Sequence, residues 1–159
     1  MTKEQIQEFT LRTSQENHSG LILVLCDIVG VYTEDAIEAY DNHDLEVYLR
    51  NMELAKRTQN ELIDCFNPTD KQGREVISVL RYIYRCFVTA TVKRNPHNIN
   101  ECMGLLAKLR VGFEHLHEID TDGPVMRNTH QVYAGLTYGK GVLNESTIGV
   151  DYSTRGFTV

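Results

Sequence analysis

Apolar residues recur at intervals of three and four through four successive segments between residues 20 and 119. This spacing predicts amphipathic helices, because such residues share one face of a helix that makes 3.6 residues per turn. No segment before residue 120 shows the sustained alternation and β-branched enrichment of a strand. Short turns force successive helices to run antiparallel. We therefore expect an all-α fold, an antiparallel up-down four-helix bundle.

Turn and cap residues set the expected helix ends. The first helix should begin after Asn17 or Ser19 and end near Tyr40, the second should end at Asn67-Pro68, the third at Asn95-Pro96, and the fourth should begin with a capping box of Asn98 and Glu101. Residues 3–11 are expected to form a short, mobile N-terminal helix. Glycine and proline at residues 123–124 should stop the last helix, so we divide the chain into a helical domain, 1–119, and a Gly-rich apolar tail, 120–159.

Charge and hydropathy exclude several classes of partner. The chain has 22 acidic and 16 basic residues, for a net charge of −6, and no segment stands out as basic. Such a surface disfavours nucleic acid as a partner. The most apolar run, residues 21–31, is interrupted by Asp27 and Gly30 and is too short to span a membrane. The polar N-terminus lacks the apolar core of a signal peptide, which predicts a cytoplasmic location.

The four cysteines have neither CxxC spacing nor a histidine at zinc-finger spacing. They are Cys26, Cys65, Cys86 and Cys102, and each lies in an apolar helical pattern. Because a reducing compartment keeps thiols free, we expect four buried free thiols.

Familiar catalytic motifs are missing from the sequence. It contains no GxxxxGK[ST], GxGxxG, HExxH or GxSxG pattern, and we expect no cofactor. His115 and His117 are two residues apart and diverge around a helix, so no metal site is expected. A histidine phosphotransfer domain that uses His115 or His117 is an alternative hypothesis, although the flanking Glu114 and Glu118 would repel a phosphoryl group.

The third predicted helix is more apolar than one buried face requires. Tyr82, Tyr84 and Phe87, with Val76 and Val79, place apolar or aromatic residues on more than one face. Such a helix can carry a docking groove, although a half-exposed tyrosine that rests against a neighbour explains the pattern equally well.

The helical part resembles the flagellin-specific export chaperones of the FliS family. Residues 21–27, LILVLCD, are similar to the family's first-helix motif, an aliphatic run that ends in Leu-Tyr-Asp, with Cys26 in place of tyrosine. Leu80 with Ile83-Tyr84 resembles the third-helix motif Leu-x-x-Leu-Tyr, and Phe113 stands where the family usually has tryptophan. The likeness covers about residues 6–119 and keeps the order and spacing of the motifs.

The resemblance implies a cytosolic chaperone without enzymatic activity. It would bind the disordered C-terminal segment of flagellin, prevent premature polymerisation, and deliver it to the flagellar type III export gate, itself a possible partner. The residues that we expect to contact this segment are Ile22, Cys26, Met52, Ala55, Gln59, Tyr82 and Tyr84. A helical adaptor for another export component is a further alternative.

The last forty residues carry thirteen apolar or aromatic side chains between glycines, more than a solvated tail usually has. We expect this tail to fold back and cover, in cis, part of the surface that binds flagellin. The tail residues expected to do so are Val132, Tyr133, Leu136, Tyr138, Val142 and Leu143. A disordered appendage, or a contact for another export component, remains the competing hypothesis.

Overall fold

The computed structural model describes residues 1–126, and within them the chain is helical apart from residues 1–2, the connections between helices and the last seven residues. The five helices are α1 (Lys3–Gln15), α2 (His18–Asp41), α3 (Leu45–Asp64), α4 (Lys71–Lys93) and α5 (Ile99–Ile119). No strand occurs among these residues, so the all-α prediction is confirmed there. None of the helices in this part of the chain has both the length and the apolarity needed to cross a bilayer.

Local sequence signals explain most helix ends. Asn17 caps α2 by accepting a hydrogen bond from the Gly20 amide at 2.9 Å, as expected. Asn98 precedes α5, but its side chain makes no capping hydrogen bond, so the predicted capping box is wrong. The capping box instead lies at Thr2 and Gln5, where it starts α1.

Two element predictions need correction. α3 ends at Asp64 rather than at Asn67-Pro68, because the backbone already turns at Cys65 and Phe66. The N-terminal helix extends to Gln15, beyond the predicted end at residue 11, and it packs along α2 with Phe9 buried. Burial of an aromatic ring provides the free energy that holds this helix in place.

Each of the four long helices packs against two of the others, so that together they form a ring. α2 packs against α3 and α5, and α4 packs against the same two helices, whereas α2 and α4 do not approach each other within the described residues. α1 contacts α2 alone among the helices. The core between them is built from fully buried side chains of all four long helices, which include Val29, Met52, Leu80, Phe87 and Ile99. α4 therefore lies on the opposite side of α3 and α5 from α2 and α1.

One cysteine pair departs from expectation. Cys86 of α4 and Cys102 of α5 form a disulfide, whereas Cys26 and Cys65 are free. The prediction of four free thiols is therefore wrong for this pair. The spacing of sixteen residues gives no sign of it, because only the packing of α4 against α5 brings the two side chains together.

Candidate functional site

Most of the residues predicted to bind a partner lie in the core. Ile22 and Cys26 of α2, and Met52, Ala55 and Gln59 of α3, are all buried. A partner cannot reach these side chains while the helices stay packed, so we reassign them to the core. The physical reason is that a helix buries the same apolar stripe from which we inferred binding. Burial also raises the pKa of the Cys26 thiol to about 12, which keeps it protonated at neutral pH.

Gln59 is the one polar side chain of that set, and it joins two helices. Its Nε2 atom donates a hydrogen bond to the backbone carbonyl of Leu80 in α4 at 3.1 Å. Its Oε1 atom is buried and finds no hydrogen-bond partner among the described residues. The amide therefore contributes to α3–α4 packing and not to an exposed surface.

Tyr82 and Tyr84 are the two predicted contact residues that reach the surface. The Tyr82 side chain is 49% exposed, and Tyr84 is half-buried. Both belong to α4, whose buried face carries Leu80, Ile83 and Phe87. Two positions separate the tyrosines, so they point to opposite sides of the outer surface of α4.

A basic stripe runs between the two tyrosines. Arg74, Arg81 and Arg85 are exposed and lie at spacings of seven and four, which places them on one side of the helix. Lys93 and Arg94 continue the positive charge at the helix end. We call Arg74, Arg81, Tyr82, Tyr84 and Arg85 the α4 face.

Two clefts flank the α4 face, and Arg85 lines both of them. The first has a volume of about 500 Å³, lies toward the α4–α5 turn, and is bordered by Tyr82, Lys93 and His97. The second, of about 690 Å³, lies between α3 and α4 and includes Tyr84 and Arg81. Clefts of this size can each hold a side chain or a short stretch of peptide.

The arginines of the α4 face form no ion pair within the described residues, although the Asp64 carboxylate lines the second cleft with them. Arg74 donates to the backbone carbonyl of Thr69 at 2.7 Å, a bond that leaves its charge unbalanced. Neither Arg81 nor Arg85 forms an ion pair with any carboxylate in residues 1–126. Exposed guanidinium groups beside aromatic rings are typical of protein-binding surfaces.

The sequence contained a signal for this surface that we missed. Residues 71–94 hold six basic residues and one acidic residue, a net charge of +5, whereas the rest of the chain holds ten basic and 21 acidic residues. The statement that no segment stands out as basic is therefore wrong. The basic residues do not form a continuous run in the sequence, because helical spacing distributes them along a long, otherwise apolar segment.

The histidines near the end of α5 have acidic neighbours. His115 Nδ1 lies 3.5 Å from a carboxylate oxygen of Glu118, and His117 Nε2 lies 3.7 Å from one of Glu16. His117 Nδ1 also lies 2.9 Å from the Ser19 hydroxyl. These carboxylates would repel a phosphoryl group. No cluster of three or more potential metal ligands is found in residues 1–126.

The six tail residues expected to cover the partner surface, from Val132 to Leu143, lie outside the described residues.

Comparisons with known proteins add no family assignment. No protein-family model matches the chain, and no curated protein matches it significantly.

Proposed function

We propose that this chain is a cytoplasmic export chaperone that binds the disordered C-terminal segment of flagellin, prevents its premature polymerisation and supports its delivery to the flagellar type III export gate. The proposal combines the sequence resemblance with the all-helical fold. In it, α2 to α5 form an antiparallel up-down four-helix bundle, and the chain acts by binding and not by catalysis.

The observation that carries the proposal is the α4 face. It presents two partly exposed tyrosines and a row of arginines without ion pairs, with a cleft on either side. An extended segment that orders on binding can follow such a surface, placing apolar side chains in the clefts and carboxylates beside the arginines. Charge complementarity therefore predicts an acidic stretch in the part of the partner that contacts α4.

Calorimetric titration of the full chain with the last forty or so residues of flagellin from the same organism tests the proposal. We expect saturable binding with a large negative heat-capacity change, because coupled folding buries apolar surface. Absence of binding would overturn the chaperone proposal.

Substitutions then test the position of the site. Tyr82→Ala and the pair Arg81→Glu with Arg85→Glu should each weaken binding on the order of tenfold, or about 1.4 kcal/mol. Arg50→Glu is the matched control, since Arg50 is an exposed arginine on α3 that borders neither cleft. Tight binding that none of the α4 variants weakens would keep the function but place the site elsewhere.

A further inference from the structure

After α5 ends at Ile119, the next seven residues remain in contact with the other helices. Residues 120–126 turn back toward the junction of α1 and α2, where hydrogen bonds hold them. The Asn17 side-chain amide donates to the Asp122 carbonyl at 3.3 Å, and the Val125 amide donates to the Glu16 carbonyl at 3.0 Å. The path of the chain is therefore fixed as far as Met126, on the opposite side of the helices from the α4 face.

Met126 borders an open apolar groove between α1 and α2. The groove has a volume of about 400 Å³, and its apolar walls are Ile6 and Phe9 of α1, Ile28 and Tyr32 of α2, and Met126 itself. Ile6 is 50% exposed and Met126 is 47% exposed, so apolar surface remains uncovered by the described residues. Burial of this surface would be favourable, because it removes apolar atoms from water.

The threonine and serine side chains in the groove already have hydrogen-bond partners. The hydroxyls of Thr10, Thr13 and Ser14 donate to backbone carbonyls of their own helix at 2.7 Å. No acidic or basic side chain lines the groove among the described residues, and the N-terminal ammonium of Met1, which also borders it, is paired with Asp35. An apolar, uncharged occupant therefore fits it better than a charged one.

The chain itself continues from this groove for 33 residues, 127–159. Only five of these residues are acidic or basic, and apolar side chains occur every few positions from Val132 onward. α1 is thirteen residues long, about 20 Å at 1.5 Å per residue, and seven extended residues beyond Met126 span about 23 Å. Val132 and Tyr133 can thus reach any part of the groove.

We propose that residues 132–143 of this chain dock in the α1–α2 groove in cis. The tether supplies a local concentration in the millimolar range, far above that of a free competitor in solution. This groove is a different site from the α4 face, because α1 packs on α2 and the α4 face lies across α3 and α5; the hypothesis that the tail covers the flagellin-binding surface is a separate one. The proposal does not depend on flagellin binding.

The chain has no tryptophan, so a single tryptophan in the tail reports on docking without background. Full-length Tyr133→Trp should emit at shorter wavelength than free tryptophan, resist acrylamide quenching, and do so equally at all protein concentrations. Adding Ile6→Asp should shift the emission to longer wavelength and restore quenching, because it places a carboxylate in the groove. Val92→Asp is the matched control, since Val92 is 77% exposed on α4.

Each result decides the question. Solvent-exposed emission in Tyr133→Trp, or emission that Ile6→Asp does not change, would overturn the proposal. A short-wavelength signal that disappears on dilution would assign the groove to a second copy instead. If circular dichroism shows that Ile6→Asp loses helix, Thr10→Arg takes its place, because Thr10 is exposed at the groove edge. Equal shifts in the Val92→Asp control would also count against docking at this groove.

Discussion

Tyr48 shows how one buried polar atom can link two helices. Its side chain is fully buried, and its hydroxyl donates to the backbone carbonyl of Ala90 in α4 at 3.0 Å. Burial raises the pKa of Tyr48 from 10.0 to about 12, because the phenolate would lose its hydration. A group with a raised pKa contributes its full stability below its unfolded pKa and loses that contribution as the pH rises to the folded value.

We therefore expect Tyr48→Phe to cost about 1 kcal/mol at neutral pH, the typical net value of one hydrogen bond. The free energy of unfolding of the wild type should fall between pH 10 and about 12, and this contribution to the fall should be absent from Tyr48→Phe. Urea unfolding at a series of pH values measures both effects, with the exposed Tyr82→Phe as control. Parallel pH profiles for wild type and Tyr48→Phe would contradict the argument.

Gln59 gives a prediction of the opposite sign. Its Oε1 atom is buried without a partner in the described part of the chain, and an unmet buried acceptor costs about 1 to 3 kcal/mol. Gln59→Met keeps the length of the side chain, removes that cost, and gives up the single bond to Leu80. We expect unchanged stability or a gain of up to about 2 kcal/mol. Thermal unfolding measures it, and a loss above about 1 kcal/mol would show that the amide is satisfied.

At the level of the element, the start of α4 depends on a close backbone approach. Asp70 caps the helix by accepting from the Gly73 amide at 3.1 Å, and the preceding loop folds so that the carbonyl of Asn67 lies against the Gly73 Cα. A Cβ at position 73 would overlap that carbonyl well inside van der Waals contact. Glycine is therefore required here for space, although it lowers helix propensity.

Gly73→Ala should destabilise the protein by about 1 to 3 kcal/mol, because the loop before α4 has to move. Gly30→Ala in α2 is the matched control, since a Cβ there would meet nothing within 4 Å. That control should gain about 0.5 to 1 kcal/mol from helix propensity. Chemical denaturation of both variants checks the pair, and equal effects of the two substitutions would refute the steric argument.

At the level of the whole molecule, Asp27 of α2 links α1 to α5, two helices that do not pack against each other. Its two carboxylate oxygens accept from Arg12 of α1 at 3.0 Å and from Arg110 of α5 at 2.7 Å. Arg110 also pairs with Glu114. The hydrogen bond to Asp27 raises the pKa of Arg110, so the guanidinium stays charged. The three side chains are partly exposed, which reduces the strength of the pairing.

We expect Asp27→Asn to cost about 1 to 2 kcal/mol, after allowance for solvent screening. A double-mutant cycle with Arg110→Gln should show a coupling above about 0.5 kcal/mol. The more exposed pair Arg57 and Glu61, 3.5 Å apart, serves as a control and should couple by less than about 0.5 kcal/mol. Equal coupling in the two cycles would show that Asp27 does not link the helices.

The Cys86–Cys102 disulfide joins α4 to α5 across a separation of sixteen residues. For a loop of this length, reduction should lower stability by roughly 3 kcal/mol. Denaturant unfolding with and without a reductant measures the loss. The stability of the double variant Cys86→Ser with Cys102→Ser should change much less on addition of the reductant. An equal change would show that the loss does not come from this disulfide.

The sequence by itself determined the helices, since the period of apolar residues from Leu21 to Phe113 depends only on local geometry. The Asn17 cap was predicted for the same reason. The residues of a binding site were harder to predict, because an apolar stripe has the same spacing whether it faces the core or a partner. Met52 and Ala55 were predicted to lie on a binding surface, but they are buried in the core, whereas Tyr82 is exposed, as predicted.

Tertiary structure alone decided which residues meet across the chain. The Asp27 link, the Cys86–Cys102 pair and the return of Val125 to Glu16 join positions 83, 16 and 109 residues apart. No local pattern encodes these pairings, because they follow from the angle and order in which whole helices pack. The α4 face is an intermediate case: its charge is visible in the sequence, but its exposure depends on which side of α4 the core covers.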